Sequence, residues 1–241
     1  MVTYVVDSNC FIHMGGMAST SILNDLKSAL KTMHVTKGVH GEIQNVRYQR
    51  WKQKPNLLNH IKPMLTTHEV SDDQIRGLGA KIGERASPQD VDLSLMVLAH
   101  DLQREGHSVL LVTDDFKMAK ATEEHQLASE VCPPSTFFER LSTKAKGKHA
   151  SELRRLGRRI RAAEMQYAIS RRNEYDVQAK ITWMVDSLLS SAPAKPAQQK
   201  AETGGATKVN LLNELHRLVN GEEIKTSLRK KLAPLLSLIH I

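Results

Sequence analysis

The 241-residue sequence predicts an α/β protein with a central parallel sheet, followed by an all-α extension. Short apolar runs at Tyr4-Val5-Val6, His34-Val35-Thr36 and residues 108–113 and 128–132 alternate with segments of helical spacing over the first 140 residues. The run Ser108-Val109-Leu110-Leu111-Val112-Thr113 has no polar alternation, as expected of a strand buried on both faces of a parallel sheet. Beyond residue 140 only helical spacing remains, so the chain reads as a domain over 1–140, a basic helical extension over 141–191, a linker over 192–208 and a helical hairpin over 209–241.

The first strand ends in Asp7-Ser8-Asn9. A strand of a parallel sheet delivers its last side chains to the crevice where α/β proteins place their ligands, yet Asp, Ser and Asn are also the favoured helix caps. That stretch alone leaves both readings open. Ile22, Leu23, Leu26 and Leu30 form a helical stripe before the second strand, and residues 39–51 read as a helix with Glu42 near its start and Pro55 beyond its end. Leu57, Leu58, Ile61, Met64 and Leu65 suggest one further helix, and Ile75, Leu78 and Ile82 another. Gly77, Gly79 and Gly83 have the wrong spacing for a dinucleotide fingerprint and are read as helix-terminal or loop glycines. Ser87-Pro88-Gln89-Asp90 reads as a helix start with Ser87 as cap, and Leu95, Leu98, Ala99 and Leu102 as its buried stripe. The strand over 108–113 runs into Asp114-Asp115, a short helix follows over 118–124, and Pro133-Pro134 closes the domain near Phe137-Phe138.

Residues 144–191 read as helix, with Leu153, Leu156, Ile160, Ala163 and Tyr167 on one stripe and Val177, Ile181, Met184 and Leu188 on a second that is out of register. The stretch over 192–208, rich in Ala, Pro, Gln and Gly, suits a flexible linker. The uncapped apolar end Leu238-Ile239-His240-Ile241 reads as a native terminus that is missing or altered.

With 40% hydrophobic and 25% charged residues, the composition is that of a globular chain. No apolar run reaches the roughly 18 residues of a membrane helix. The N-terminus lacks a basic region and its apolar run is broken by Asp7 and Asn9, so no signal peptide is read, no membrane is expected and a cytoplasmic location is. Cys10 and Cys132 form neither a zinc ribbon nor a disulfide framework. The net charge of +8 is unevenly spread: residues 1–139 hold 14 Lys+Arg against 17 Asp+Glu, residues 140–172 hold 11 against 2, and the remainder 9 against 7. A polyanion-binding element on a mildly acidic body follows from that distribution.

Asp7, Glu42, Asp92 and the pair Asp114-Asp115 fall at the beginnings or ends of core elements, and in a parallel sheet those places share one edge. Carboxylates gathered there repel one another, which makes most sense as an oxygen-ligand site for Mg²⁺ or Mn²⁺. The plain alternative is a set of helix caps and surface acids; it accounts for Asp7 and Asp90 but leaves Asp92 and the Asp pair unexplained.

Val5-Val6-Asp7-Ser8-Asn9, Glu42, Asp92-Leu93-Ser94-Leu95-Met96-Val97-Leu98-Ala99 and Leu111-Val112-Thr113-Asp114-Asp115 together resemble the motifs of the PIN-domain ribonucleases, over about residues 1–140. The resemblance implies a three-layer fold, divalent metal held by the acids, and endonucleolytic hydrolysis of RNA. On that pattern Asp7, Glu42, Asp92 and Asp115 are the catalytic acids, and Asp7, Glu42, Asp92, Asp114 and Asp115 the metal ligands. Ser8, Asn9 and Thr113 would order waters or the phosphate around them. Asp92 is preferred to Asp90 because it shares a helix face with Leu95, Met96 and Ala99, and Asp90 is then the helix cap. Asp114 and Asp115 are both carried, the first nearer the strand end and the second fitting the motif's spacing.

Arg154, Arg155, Arg158, Arg159 and Arg161 lie off the Leu153-Leu156-Ile160 stripe and form a guanidinium-rich face suited to RNA phosphates. Arg47, Arg50 and Trp51, with Tyr48 and Lys52, offer aromatic rings among cations, for stacking on bases or, slightly favoured, for packing. RNA is the expected partner, rRNA or the ribosome included, and a homo-oligomer is allowed for. Toxins of the family are usually a bare domain and its zinc-ribbon members need cysteines absent here, so RNA processing or ribosome-related work is expected. The alternatives are a non-catalytic RNA- or ribosome-binding protein on the same scaffold and a DNA-directed nuclease.

Overall fold

The computed structural model describes residues 2–17, 20–44, 46, 57–87, 89–170 and 176–191. The strands among them are Val2–Val6 (β1), Met33–Thr36 (β2), Leu65–His68 (β3), Ser108–Val112 (β4) and Glu130–Cys132 (β5). They form one parallel sheet in the order β3-β2-β1-β4-β5, flanked by helices. The chain lays β2 and β3 on one side of β1 and then returns to place β4 on the other. The strand order therefore reverses between β1 and β4, and the carboxyl ends of those two strands are where sheets of this kind place their ligands.

The first strands are connected by Ser8–Met17 (α1) and Thr20–Ala29 (α2), then by Lys37–Ile43 (α3), Leu57–Ile61 (α4) and a 3₁₀ turn at Lys62–Met64. Next come Asp72–Ile82 (α5) and Val91–Arg104 (α6), then Phe116–Glu124 (α7) between β4 and β5. Pro134–Lys144 (α8), Gly147–Ser170 (α9) and Val177–Ser191 (α10) complete the described helices. None is long and apolar enough to cross a membrane.

The strand β3 departs from the sequence reading, in which Leu65 belonged to a helix. Leu57, Leu58 and Ile61 do form the short α4, but Pro63 draws the chain into the 3₁₀ turn and Leu65 leaves it extended. Gly77 and Gly79 also lie inside a helix, α5, rather than at its ends. A Cβ on Gly79 would stand 2.9 Å from the Glu84 carbonyl oxygen, so close return of the chain and not a turn accounts for that glycine. Gly83 is the terminator, left-handed with φ 75°. The helix after it starts later than Ser87: Gln89 has φ 56°, which breaks a helical start, and Asp90 caps α6 by accepting from Leu93 N–H at 3.0 Å.

By its contacts the chain divides into residues 1–160 and 161–241. In the first unit Val5, Val6, Leu111 and Val112 are fully buried at the sheet centre, as are Phe137 and Phe138. The Phe137 ring meets Tyr4 edge-on at 5.4 Å, so α8, which begins at the Pro-Pro pair, helps close the core. Leu153, Leu156 and Ile160 of α9 are buried in that unit too. There Gly157 allows close approach to α8, since a Cβ would lie 2.9 Å from the Ser135 carbonyl oxygen. Gly157→Ala is expected to destabilise by about 1–3 kcal/mol through overpacking, although Ala is the better helix former. Urea unfolding reads the sign.

In the second unit Met165, Ala168, Val177, Ile181 and Met184 are buried, together with Glu164 and Lys180. Tyr167, placed on the apolar stripe by its spacing, is 47% exposed, and the Lys180 ammonium stands 5.6 Å from its ring. Residues 171–175, the expected linker at 192–208 and the expected hairpin at 209–241 lie outside the described residues.

Candidate active site

The carboxyl ends of β1 and β4 are held in register as far as Val6 and Val112, and the ladder continues one step as Asp7 N–H donates to the Val112 carbonyl at 3.0 Å. The register brings Asp7 and the Thr113-Asp114-Asp115 turn together across more than a hundred residues of sequence. Thr113 Oγ1 donates to Asp7 Oδ2 at 2.9 Å and accepts from Asp115 N–H at 3.0 Å. Ser8 Oγ and Asn9 Nδ2 approach the same carboxylate at 3.3 and 3.4 Å. Ser8, Asn9 and Thr113 thus surround Asp7, as their positions in the sequence suggest.

Two tiers of acid follow. Asp7 and Asp114 form the deep tier and are nearly closed to solvent, at 2% and 8% exposure. Burial pushes the Asp7 carboxyl up to about 7, the neighbouring Asp114 and Asp92 charges add to the rise, and the Thr113 hydroxyl opposes it. Asp114 Oδ1 is buried and has no hydrogen-bond partner among the described residues. Asp114 Oδ2 lies 3.0 Å from His13 Nε2, on α1.

The outer tier is Asp92 and Asp115, which with Asp90 and Lys117 line an open crevice of about 200 Å³ floored by Met96 and Met118. Asp92 is exposed at the crevice mouth, and the partial loss of hydration around its carboxyl raises it to about 6, helped by Asp115, Asp90 and Glu42 and opposed by Lys117. Asp115 also caps α7, its Oδ1 accepting from Met118 N–H at 2.9 Å. Glu42 sits exposed on α3 and reaches the group as a neighbouring charge on Asp92. Asp90 is occupied by its cap and by Ser87 Oγ at 2.9 Å. Asp90→Ala is expected to cost about 1 kcal/mol of stability and Asp90→Asn only a few tenths. Asp90→Asn should also keep whatever activity Asp92→Asn removes; equal losses in a cleavage assay would contradict the division of roles.

Among the described residues, no group of three or more His, Cys, Asp and Glu side chains is placed to hold a metal ion. Mg²⁺ asks for less, since it keeps several waters and is commonly held through one or two carboxylates and the substrate's phosphates. The deep tier fits that demand: its donors are oxygens, and Asp114 Oδ1 is a buried acceptor with nothing to accept. Zn²⁺, which favours sulfur and nitrogen donors, fits it poorly.

Among the basic residues, Arg154, Arg155 and Arg158 are exposed on α9, and Arg155 pairs with Glu152 at 2.7 Å. Arg159 is half-buried. Arg161 departs from the expected open face: the residue is half-buried and its Nη2 is buried. Arg47, Arg50 and Trp51 lie outside the described residues. The sequence reading missed His13 and Lys117. His13 has no local signal, since only the β1–β4 register places it beside Asp114, whereas Lys117, two residues past the Asp pair, was open to notice. Comparison of the chain with family models, with curated proteins and with solved structures finds no match, so the residues themselves carry the functional reading.

Proposed function

We propose that this protein is a PIN-like, divalent-metal-dependent endoribonuclease, working in RNA processing or ribosome-related RNA metabolism. The observation that carries the reading is the buried Asp7 and Asp114 pair at the strand-order reversal, with one carboxylate oxygen left unpaired. Such a pair is costly without a cation, and the Asp7 carboxyl already resists ionising.

Asp7 and Asp114 would hold the Mg²⁺ or Mn²⁺, with Asp92, Asp115 and Glu42 on the solvent side. An ion held there would supply activation of a water for in-line attack on the phosphodiester and neutralisation of charge on the leaving oxygen. Thr113 and Asn9 orient the Asp7 carboxylate. Asp92, with its carboxyl near 6, takes up or returns a proton at the crevice mouth. Lys117, paired with Glu84 at 3.0 Å, also lowers the Asp92 carboxyl and so stands as the cation nearest the outer acids. The exposed Arg154, Arg155 and Arg158 supply contacts for an RNA backbone on a strongly basic segment.

The absence, among the described residues, of three converging metal donors favours a second reading, an RNA- or ribosome-binding protein that retains this scaffold without the chemistry. Purified protein incubated with a mixed RNA pool separates the two. Cleavage that requires Mn²⁺ or Mg²⁺ and stops with EDTA is expected, together with a metal-dependent rise in melting temperature. RNA bound but left intact at millimolar metal would select the second reading, and single-stranded DNA offered beside RNA tests the substrate class.

A further inference from the structure

The two oxygens of Asp114 meet different surroundings. Oδ2 lies 3.0 Å from His13 Nε2, while Oδ1 is buried without a hydrogen-bond partner among the described residues. An ionised carboxylate only accepts, so His13 Nε2 carries the proton and donates it. The imidazole is itself largely enclosed, its side chain 18% exposed. It stands on α1, which starts at Ser8 directly after Asp7. One short segment therefore delivers both the Asp7 carboxylate and the group that grips Asp114. With Oδ2 gripped, rotation of the Asp114 carboxylate is restrained, and the direction of Oδ1 is set by the sheet and by α1 together.

We infer that His13 is a positioning residue of the metal site: it holds Asp114 by Oδ2, leaves Oδ1 to the divalent cation, and takes no ligand place itself. This rests on the metal-site reading proposed above. The bond to Asp114 uses Nε2 as a donor, which is incompatible with that nitrogen donating a lone pair to a metal. Hydrogen-bond partners behind metal ligands typically govern about 10–100-fold in metal affinity.

The test is Mn²⁺ binding to the full chain by titration calorimetry, for the parent, His13→Ala, His13→Gln and Asp114→Asn, with near-ultraviolet circular dichroism as the check on folding. The amide nitrogen of Gln stands roughly where Nε2 does and donates, whereas Ala offers nothing. His13→Ala is expected to weaken Mn²⁺ binding about 10–100-fold and His13→Gln to restore most of it. Electron spin-echo spectra of the Mn²⁺-loaded parent are expected to show no directly bound nitrogen. Parent-like Mn²⁺ affinity in folded His13→Ala overturns the assignment. So does a His13→Gln protein as weak as the Ala variant, or a directly bound nitrogen in the parent. A parent that binds no Mn²⁺ at millimolar concentration, with Asp114→Asn indistinguishable from it, overturns the metal site as well.

Discussion

Asp7→Asn is expected to lower metal-dependent RNA cleavage by about 10³-fold, equivalent to about 4 kcal/mol of transition-state stabilisation, while making the metal-free protein harder to melt. The two effects share one cause. Burial and the neighbouring acids raise the Asp7 carboxyl from its ordinary 3.8 to about 7, so the folded state binds this proton more tightly than the unfolded chain does. As pH rises from about 4 to about 7 the unfolded chain gives up the proton first, and stability falls across that window. Above pH 7 the whole penalty is present, at most about 4 kcal/mol for this group. Asp92, raised to about 6, contributes in the same direction. His34 and His68, 2.9 Å apart at the β2–β3 edge and both lowered mainly by burial, act oppositely and withdraw stability as pH drops below about 6.5. Asparagine removes the charge and keeps an oxygen for the Thr113 hydroxyl. Metal-free Asp7→Asn should therefore melt several degrees above the parent at pH 8, at about 2–4 °C per kcal/mol for a chain of this size, and close to it at pH 4.5. Melting curves in EDTA at the two pH values decide the matter. A gap that is the same at both would separate the variant's stability from ionisation of Asp7.

The largest expected effect on binding comes from Arg154, Arg155 and Arg158, the exposed cations of α9. Replacing all three with Gln keeps good helix formers and deletes three charges. Each lost phosphate contact flattens the dependence of log affinity on log salt by about 0.7 for a single strand, so the triple variant should lose about 2 from the slope. Affinity for long RNA should fall steeply at low salt. Cleavage of an oligonucleotide short enough to reach only the acidic crevice should be unchanged. Filter binding across a salt series reads the slope, and a parent-like slope would make the basic face a solvated one or a contact for protein.

How much of this was open to sequence reading follows from where each residue sits. Val5, Val6 and the 109–112 run are buried on both faces, so their composition alone announces strands and the acids at their ends. Leu65-Thr66-Thr67-His68 is a short edge strand with both threonines exposed, so it carries no apolar run, and the helical spacing before it continues into Leu65. The start of α6 read at Ser87-Pro88 falls too early because the left-handed Gln89 overrides that local signal, whereas the reading of Asp90 as the helix cap agrees with the structure. Gly79 and Gly157 were silent because their reason is a neighbouring backbone, met only after folding. The acidic site divides in the same way. Asp7 and the Asp pair follow from strand ends, whereas the unpaired Asp114 oxygen and the His13 grip depend on packing between elements distant in sequence.

The placement of β1 between β2 and β4 has a consequence for how the protein is made. During synthesis β1 leaves the ribosome first, and β2 follows soon enough to pair with one of its edges. The other edge waits for Val112, more than a hundred residues behind Val6. At roughly 5–20 residues per second that is on the order of 5–20 s of translation. Throughout that interval Asp7 is already made but has neither Thr113 nor Asp114 beside it. A nascent chain is thus unable to assemble the paired acids until its first four strands have emerged, so the crevice they form belongs to the later half of its synthesis.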